Sequence, residues 1–154
     1  GCNRISGPER RTTAGFELAL PVVFQSGIQH LGIIPENIKQ QDFVVADYLR
    51  AVPATWDDTK FISGMPGEDC VVARRKAGVW YVAGINGESK TKVFKLKLAD
   101  IIKPGIPGLV ILDSDNNTNL VRKTDVVAPS KKSHLEISVP AYGGFVIRFV
   151  TAKK

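Results

Sequence analysis

The stretch Cys70-Val71-Val72-Ala73-Arg74-Arg75-Lys76-Ala77-Gly78-Val79-Trp80-Tyr81-Val82-Ala83-Gly84-Ile85 decides the fold. Two runs rich in β-branched and aromatic residues flank the short connection Ala77-Gly78, which predicts an antiparallel hairpin. Asn86-Gly87 follows at once and signals a turn, because both residues tolerate positive φ. Downstream, Phe94, Leu96 and Leu98 alternate with Val93, Lys95 and Lys97, the pattern of a strand with one buried and one wet face. The Pro104, Gly105, Pro107 and Gly108 cluster marks a loop, residues 109–112 a strand, residues 113–119 a polar turn and residues 120–124 its return. Leu135, Ile137 and Val139 alternate with Glu136 and Ser138, and Tyr142-Gly143-Gly144 turns into a last strand at residues 145–150. With a first strand at residues 56–62, this makes about eight short strands separated by turn residues. The fold class is mainly β, an antiparallel β-sandwich.

Toward the N-terminus the pattern changes at Pro53. Thr12 or Thr13 can cap a helix in which Phe16, Leu20, Val23 and Phe24 recur at three- and four-residue spacing. Pro21 inside it predicts a kink or a break. Gly27 and Gly32 mark a turn region, and Pro35-Glu36-Asn37 looks like another helix start. Asp42 can cap a short helix holding Phe43, Val44, Ala46, Tyr48, Leu49 and Val52, stopped by Pro53. Two or three helices thus precede the sandwich, dividing the chain into a helical segment, residues 1–53, and a β domain, residues 54–154. The helices carry more apolar surface than a small sandwich needs, so residues 1–52 are expected to pack on something larger.

The 154 residues and 44% hydrophobic content suit one globular domain with an extra segment. No apolar run approaches the ~20 residues of a membrane span; residues 16–24 come nearest and contain Glu17 and Pro21. Gly1-Cys2-Asn3-Arg4 lacks the apolar region of a signal peptide, as the mature form of an exported protein would. Two cysteines are too few for a disulfide framework. Cys70, in an apolar strand, reads as an inert thiol, and Cys2 could carry a lipid. The net charge of +6 could attract an acidic partner or be a solvated surface. The cations fall in short groups: Arg74-Arg75-Lys76, Lys90 to Lys97, Arg122-Lys123, Lys131-Lys132 and Lys153-Lys154. A nucleic-acid binder would need them on one face among aromatic platforms, so the charge pattern speaks against that partner.

No catalytic constellation emerges. Asp57 and Asp58 are adjacent on a strand and point to opposite faces, so they cannot work as a facing pair. Glu68 and Asp69 read as solvated turn carboxylates. Asp113-Ser114-Asp115-Asn116-Asn117 begins like a calcium loop, but Thr118 and Thr124 stand where Gly and Glu are required, which leaves a hairpin turn. His30 and His134, the two histidines, have no nucleophile or carboxylate motif around them. Ser6-Gly7 and Ser63-Gly64 lack the Gly-x-Ser-x-Gly frame, and Gly143-Gly144 is not followed by a phosphate-binding Lys-Ser/Thr pair. Trp56, Trp80, Tyr81 and Tyr142 could form a sugar-stacking platform, although Trp80 alternates with Val82 as a core residue would.

Four blocks resemble glycoside hydrolase family 97, α-glucosidase and α-galactosidase relatives common in gut Bacteroidetes. Thr12-Thr13-Ala14-Gly15-Phe16-Glu17-Leu18-Ala19-Leu20 with Val22-Val23-Phe24-Gln25-Ser26-Gly27-Ile28-Gln29-His30 is similar to the last helix of that family's catalytic barrel. Leu49-Arg50-Ala51-Val52-Pro53-Ala54-Thr55-Trp56-Asp57-Asp58-Thr59 is similar to its junction between barrel and C-terminal domain. The third block joins Gly67-Glu68, Val71-Val72-Ala73-Arg74-Arg75-Lys76 and Trp80-Tyr81-Val82-Ala83-Gly84-Ile85-Asn86-Gly87-Glu88, and the fourth is Ala141-Tyr142-Gly143-Gly144-Phe145-Val146-Ile147-Arg148-Phe149. Phe16, where relatives often carry His, and residues 2–10 depart from the pattern.

The resemblance implies that residues 1–52 are the tail of a (β/α)₈ barrel and residues 54–154 the family's C-terminal, oligomerisation sandwich. It implies catalytic carboxylates and calcium-binding glutamates upstream, with none of those positions mapping here, so no catalytic, cofactor or metal residue is assigned. The chain alone is then expected to be inactive, a truncated member of an enzyme family of carbohydrate metabolism. Its expected partners are a second copy or the catalytic barrel, and its expected location is periplasmic or otherwise exported. The alternatives are a free-standing carbohydrate-binding β module and a basic nucleic-acid-binding domain.

Overall fold

The computed structural model describes residues 11–29, 43–114 and 117–151. Cys2, His30, Gly32, the Pro35-Glu36-Asn37 helix start, Asp42, the Asp115-Asn116 pair and Lys153-Lys154 lie outside the described residues. Two helices, α1 (Ala14–Val23) and α2 (Phe43–Ala51), precede eight strands. These are β1 (Asp58–Met65), β2 (Asp69–Lys76), β3 (Val79–Asn86), β4 (Lys92–Leu96), β5 (Pro107–Ser114), β6 (Asn117–Val127), β7 (Leu135–Val139) and β8 (Gly144–Val150). Six strands form one antiparallel sheet in the order β1-β2-β3-β8-β5-β6, and β4 pairs with β7 in a second. The fold is mainly β and antiparallel.

The β2–β3 hairpin forms as expected, with Lys76 opposite Val79. Ala77 and Gly78 take φ of 47° and 80°, the doubly positive turn that matches strand twist. The central strands are apolar on both sides. Val71, Ala73, Trp80, Val82, Phe145 and Phe149 face β4 and β7 and meet Phe94, Leu96, Ile137 and Val139 there. On the reverse face Val72, Tyr81, Ala83, Ile111 and Val146 meet Leu18, Ala19 and Val22 of α1 and Val45 and Tyr48 of α2. Each fully buried Leu or Val contributes roughly 1.5–3 kcal/mol. The two helices therefore bury their inner faces on the sheet itself.

Several expectations need correction. The helix runs through Pro21 and ends at Val23, where the Phe24 N–H donates to the Leu20 carbonyl. Of the stripe Phe16, Leu20, Val23 and Phe24 the helix buries Val23, together with Gly15, Leu18, Ala19 and Val22 from outside it, whereas Phe24 is 60% exposed. Strand β1 starts two residues later than expected and runs three further, because Asp57 is held in a turn by the Ala77 N–H. Strands β5 and β6 are longer than expected, so Asp113 lies within a strand instead of a turn. Neither Asn86 nor Gly87 has positive φ; the fully buried Asn86 amide shapes its turn instead, donating to the carbonyls of Lys90 and Pro140 and accepting from the Glu88 N–H.

Candidate interaction surface

The carboxylates singled out in the sequence gather at separate places, Asp57 and Asp58 at the start of β1 and Glu68 and Asp69 around Lys92. Asp57 accepts from the Ala77 N–H at 2.8 Å and from Lys76 Nζ at 3.1 Å, and these bonds hold its carboxyl below the usual carboxylate range. Asp58 pairs with Lys60 on the exposed edge. Asp69 is not a solvated turn residue: its side chain is 8% exposed, accepts from the Met65 N–H and pairs with Lys92. Glu68 and Glu88 approach the same ammonium at 3.9 and 3.0 Å. The hydrogen bonds that its ammonium donates to Asp69 and Glu88 hold Lys92 firmly protonated. The cluster ties the β1–β2 turn to the turn before β4. His134 bonds Glu136, and that contact, with Lys95 nearby, lowers the Glu136 carboxyl. Among the described residues, no three His, Cys, Asp or Glu side chains stand close enough to hold a metal ion.

The four aromatics do not share a face. Trp80 lies in the core toward β4 and β7, while Tyr81, next in the strand, lies on the helix side. Trp56 packs edge-on against Tyr81 with ring centroids 5.4 Å apart. Tyr142 sits at the far end of the sheet beneath the Arg11 guanidinium, 4.5 Å from its ring centroid. Cys70 is half-buried, and burial, helped by Asp69, pushes its thiol up, away from the reactive thiolate. The basic groups are also spread out. Arg74 is buried on the helix side, Arg75 lies over the Trp80 ring on the other, and Lys76, Lys92, Lys95 and Lys131 meet carboxylates.

Two polar residues that the sequence offered only as part of a hairpin turn and of a basic group organise the helix-covered face. Asp113, 2% exposed, lies beneath the start of α1. Arg74, 6% exposed, reaches from β2 to the other end of that helix and donates to the Val23 carbonyl at 3.3 Å and to Thr59 Oγ1 at 3.2 Å. Burial makes its proton easier to lose than usual. Strand parity held the signal: Arg74 follows Val72, and Asp113 follows Ile111, on one face of the sheet.

Arg74 also locates an apolar rim. It bridges β1 and the end of α1, and the two large exposed aromatics there are Phe61 on β1, 67% exposed, and Phe24. Phe61 lies opposite Val72, on the helix side of the sheet, and stays exposed there. Strand β1 is one edge of the sheet, and a bulge between Phe61 and Ser63 interrupts its ladder. Farther along the same side, Val44, Tyr48, Leu109, Ile111, Val146 and Arg148, with Asp47, line a shallow groove of about 150 Å³.

A family model described as "Glycosyl-hydrolase 97 C-terminal, oligomerisation" matches residues 55–150, which include all eight strands. A "Probable retaining alpha-galactosidase" of Streptomyces bingchenggensis is 35% identical over 144 residues, 93% of this chain and 21% of its own. The "Retaining alpha-galactosidase" of Bacteroides thetaiotaomicron is 39% identical over 80 residues, 52% of this chain and 12% of its own. Among solved structures, a beta-arabinopyranosidase superposes with a TM-score of 0.81 at 29% identity, over 94% of this chain and 22% of its own. A Glycoside Hydrolase Family 97 enzyme from Pseudoalteromonas sp. strain K8, in complex with acarbose, shares the fold with a TM-score of 0.80 at 21% identity, over 93% and 23%. The chain spans about a fifth of the length of the Streptomyces relative and of each of these two structures. It belongs to the glycoside hydrolase 97 family, and residues 55–150 are that family's C-terminal domain.

Proposed function

We propose that this chain is a non-catalytic C-terminal region that supports an α-galactosidase- or α-glucosidase-like enzyme of family 97 by self-association. The observation carrying this reading is the match of an oligomerisation-domain model to every strand of the fold. The surface we assign to the contact is the Phe24–Phe61 rim, because large exposed aromatics are the anchors association uses. The edge itself is guarded by its bulge and by Lys60, which disfavour open-ended strand pairing, so the contact is one of side chains. Acid, base and calcium ligands then reside in other parts of the enzyme, and sugars of the galactoside or glucoside class are the substrate there. An exported, periplasmic setting goes with that activity. Size-exclusion chromatography with light scattering tests the proposal. A mass that is a multiple of the single chain is expected, with no hydrolysis of an aryl α-galactoside or α-glucoside. A single-chain mass at every concentration sinks self-association, and turnover by the purified chain sinks the non-catalytic reading.

A further inference from the structure

The family match begins at residue 55, yet the hydrogen bonds do not respect that boundary. Thr13 caps α1, its Oγ1 accepting from the Phe16 N–H at 3.2 Å. The same hydroxyl donates to Asp113 Oδ2 at 2.6 Å, a contact across 100 residues of sequence. Asp113 Oδ1 accepts from the Gly15 N–H at 2.7 Å, and Oδ2 also accepts from the Gly144 N–H, which opens β8, at 3.1 Å. The Thr13 N–H donates to the Tyr142 carbonyl at 3.1 Å. One buried carboxylate therefore holds the first turn of the helix and the first residue of a central strand together. Glycines make this approach possible: a Cβ on Gly15 would stand 2.4 Å from the Gly144 oxygen, and one on Gly144 2.7 Å from Phe16 Cα. At the other end of α1, Arg74 of β2 holds the Val23 carbonyl.

We propose that Asp113 is a latch that makes α1 and the eight strands one cooperative body, so that the physical domain takes in α1 and its Thr13 cap as well as residues 55–150. Removing the latch leaves buried donors on both elements at once, and each orphaned donor is costly. A helix merely resting on the sheet would instead fray alone.

Hydrogen exchange on the full chain separates the two. In Asp113→Asn, the most protected amides of α1 and of β3 lose protection together, by about tenfold to a hundredfold, the range for a buried group left without its partner. Loss confined to α1, with β3 at its wild-type protection, overturns the latch, as does no change in either. Should Asp113→Asn not accumulate folded, Thr13→Val removes only the hydroxyl. Parallel loss in α1 and β3 supports the proposal, and loss in α1 alone or in neither overturns it.

Discussion

At the scale of single residues, the polar groups with the most structural consequence are buried ones that secure backbone. Asn86, Asp113 and Arg74 are each under a tenth exposed and each reaches at least one main-chain group distant in sequence. Gly15 shows how tightly these contacts are set. Gly→Ala inside a helix ordinarily gains ~0.5–1 kcal/mol. Here the added methyl would stand 2.6 Å from Asp113 Oδ2 as well as 2.4 Å from the Gly144 oxygen. Overpacking of that kind costs about 1–3 kcal/mol, so the strain wins. Gly15→Ala is expected to lower stability in urea denaturation, and an unchanged or raised midpoint would contradict the packing.

At the scale of elements, the β2–β3 hairpin was legible because turn and strands agree. Its surroundings were less so. The β1 boundary depends on Asp57, whose bonds to the Ala77 N–H and Lys76 arrive from the hairpin turn across the sheet. Those bonds give a pH signature. A carboxyl held below its unfolded value, near ~3.9, adds stability above that value and loses it as pH falls through the folded one. Asp57→Asn should therefore melt with a flatter dependence on pH than wild type between about pH 5 and pH 2. Parallel curves in a thermal series across that window would remove Asp57 from the account. Helix α1 shows the opposite case to the hairpin. The Phe16, Leu20 and Phe24 stripe satisfies helical periodicity, but so does the Leu18, Ala19 and Val22 face, and packing on Val72 and Val146 selects the second.

At the scale of the whole molecule, three layers stack: two helices, a six-stranded sheet and a two-stranded sheet. The Phe24–Phe61 rim joins an exposed residue just past the end of α1 to one on the edge strand β1. Phe61→Asp sets a charge in that rim without touching either core. If the rim is the self-association surface, the variant elutes at single-chain mass while its circular dichroism stays that of wild type. An unaltered assembly mass moves the interface elsewhere.

The sequence by itself determined the mainly β, antiparallel class, the central hairpin, the inward set Phe94, Leu96 and Leu98, and the membership of family 97, because these rest on local periodicity, turn chemistry and ordered blocks. The continuous apolar runs Val71-Val72-Ala73 and Trp80-Tyr81-Val82-Ala83 lie in a sheet that the structure shows covered on both faces. What covers each face, which side of α1 points inward and what Asp113 and Arg74 do were decided only by the tertiary structure. The bonds that Asp113 and Arg74 make to α1 and its cap join residues 51 to 100 positions apart. A buried carboxylate or guanidinium is acceptable only where distant backbone completes its hydrogen bonds, and nothing local marks where that backbone will be.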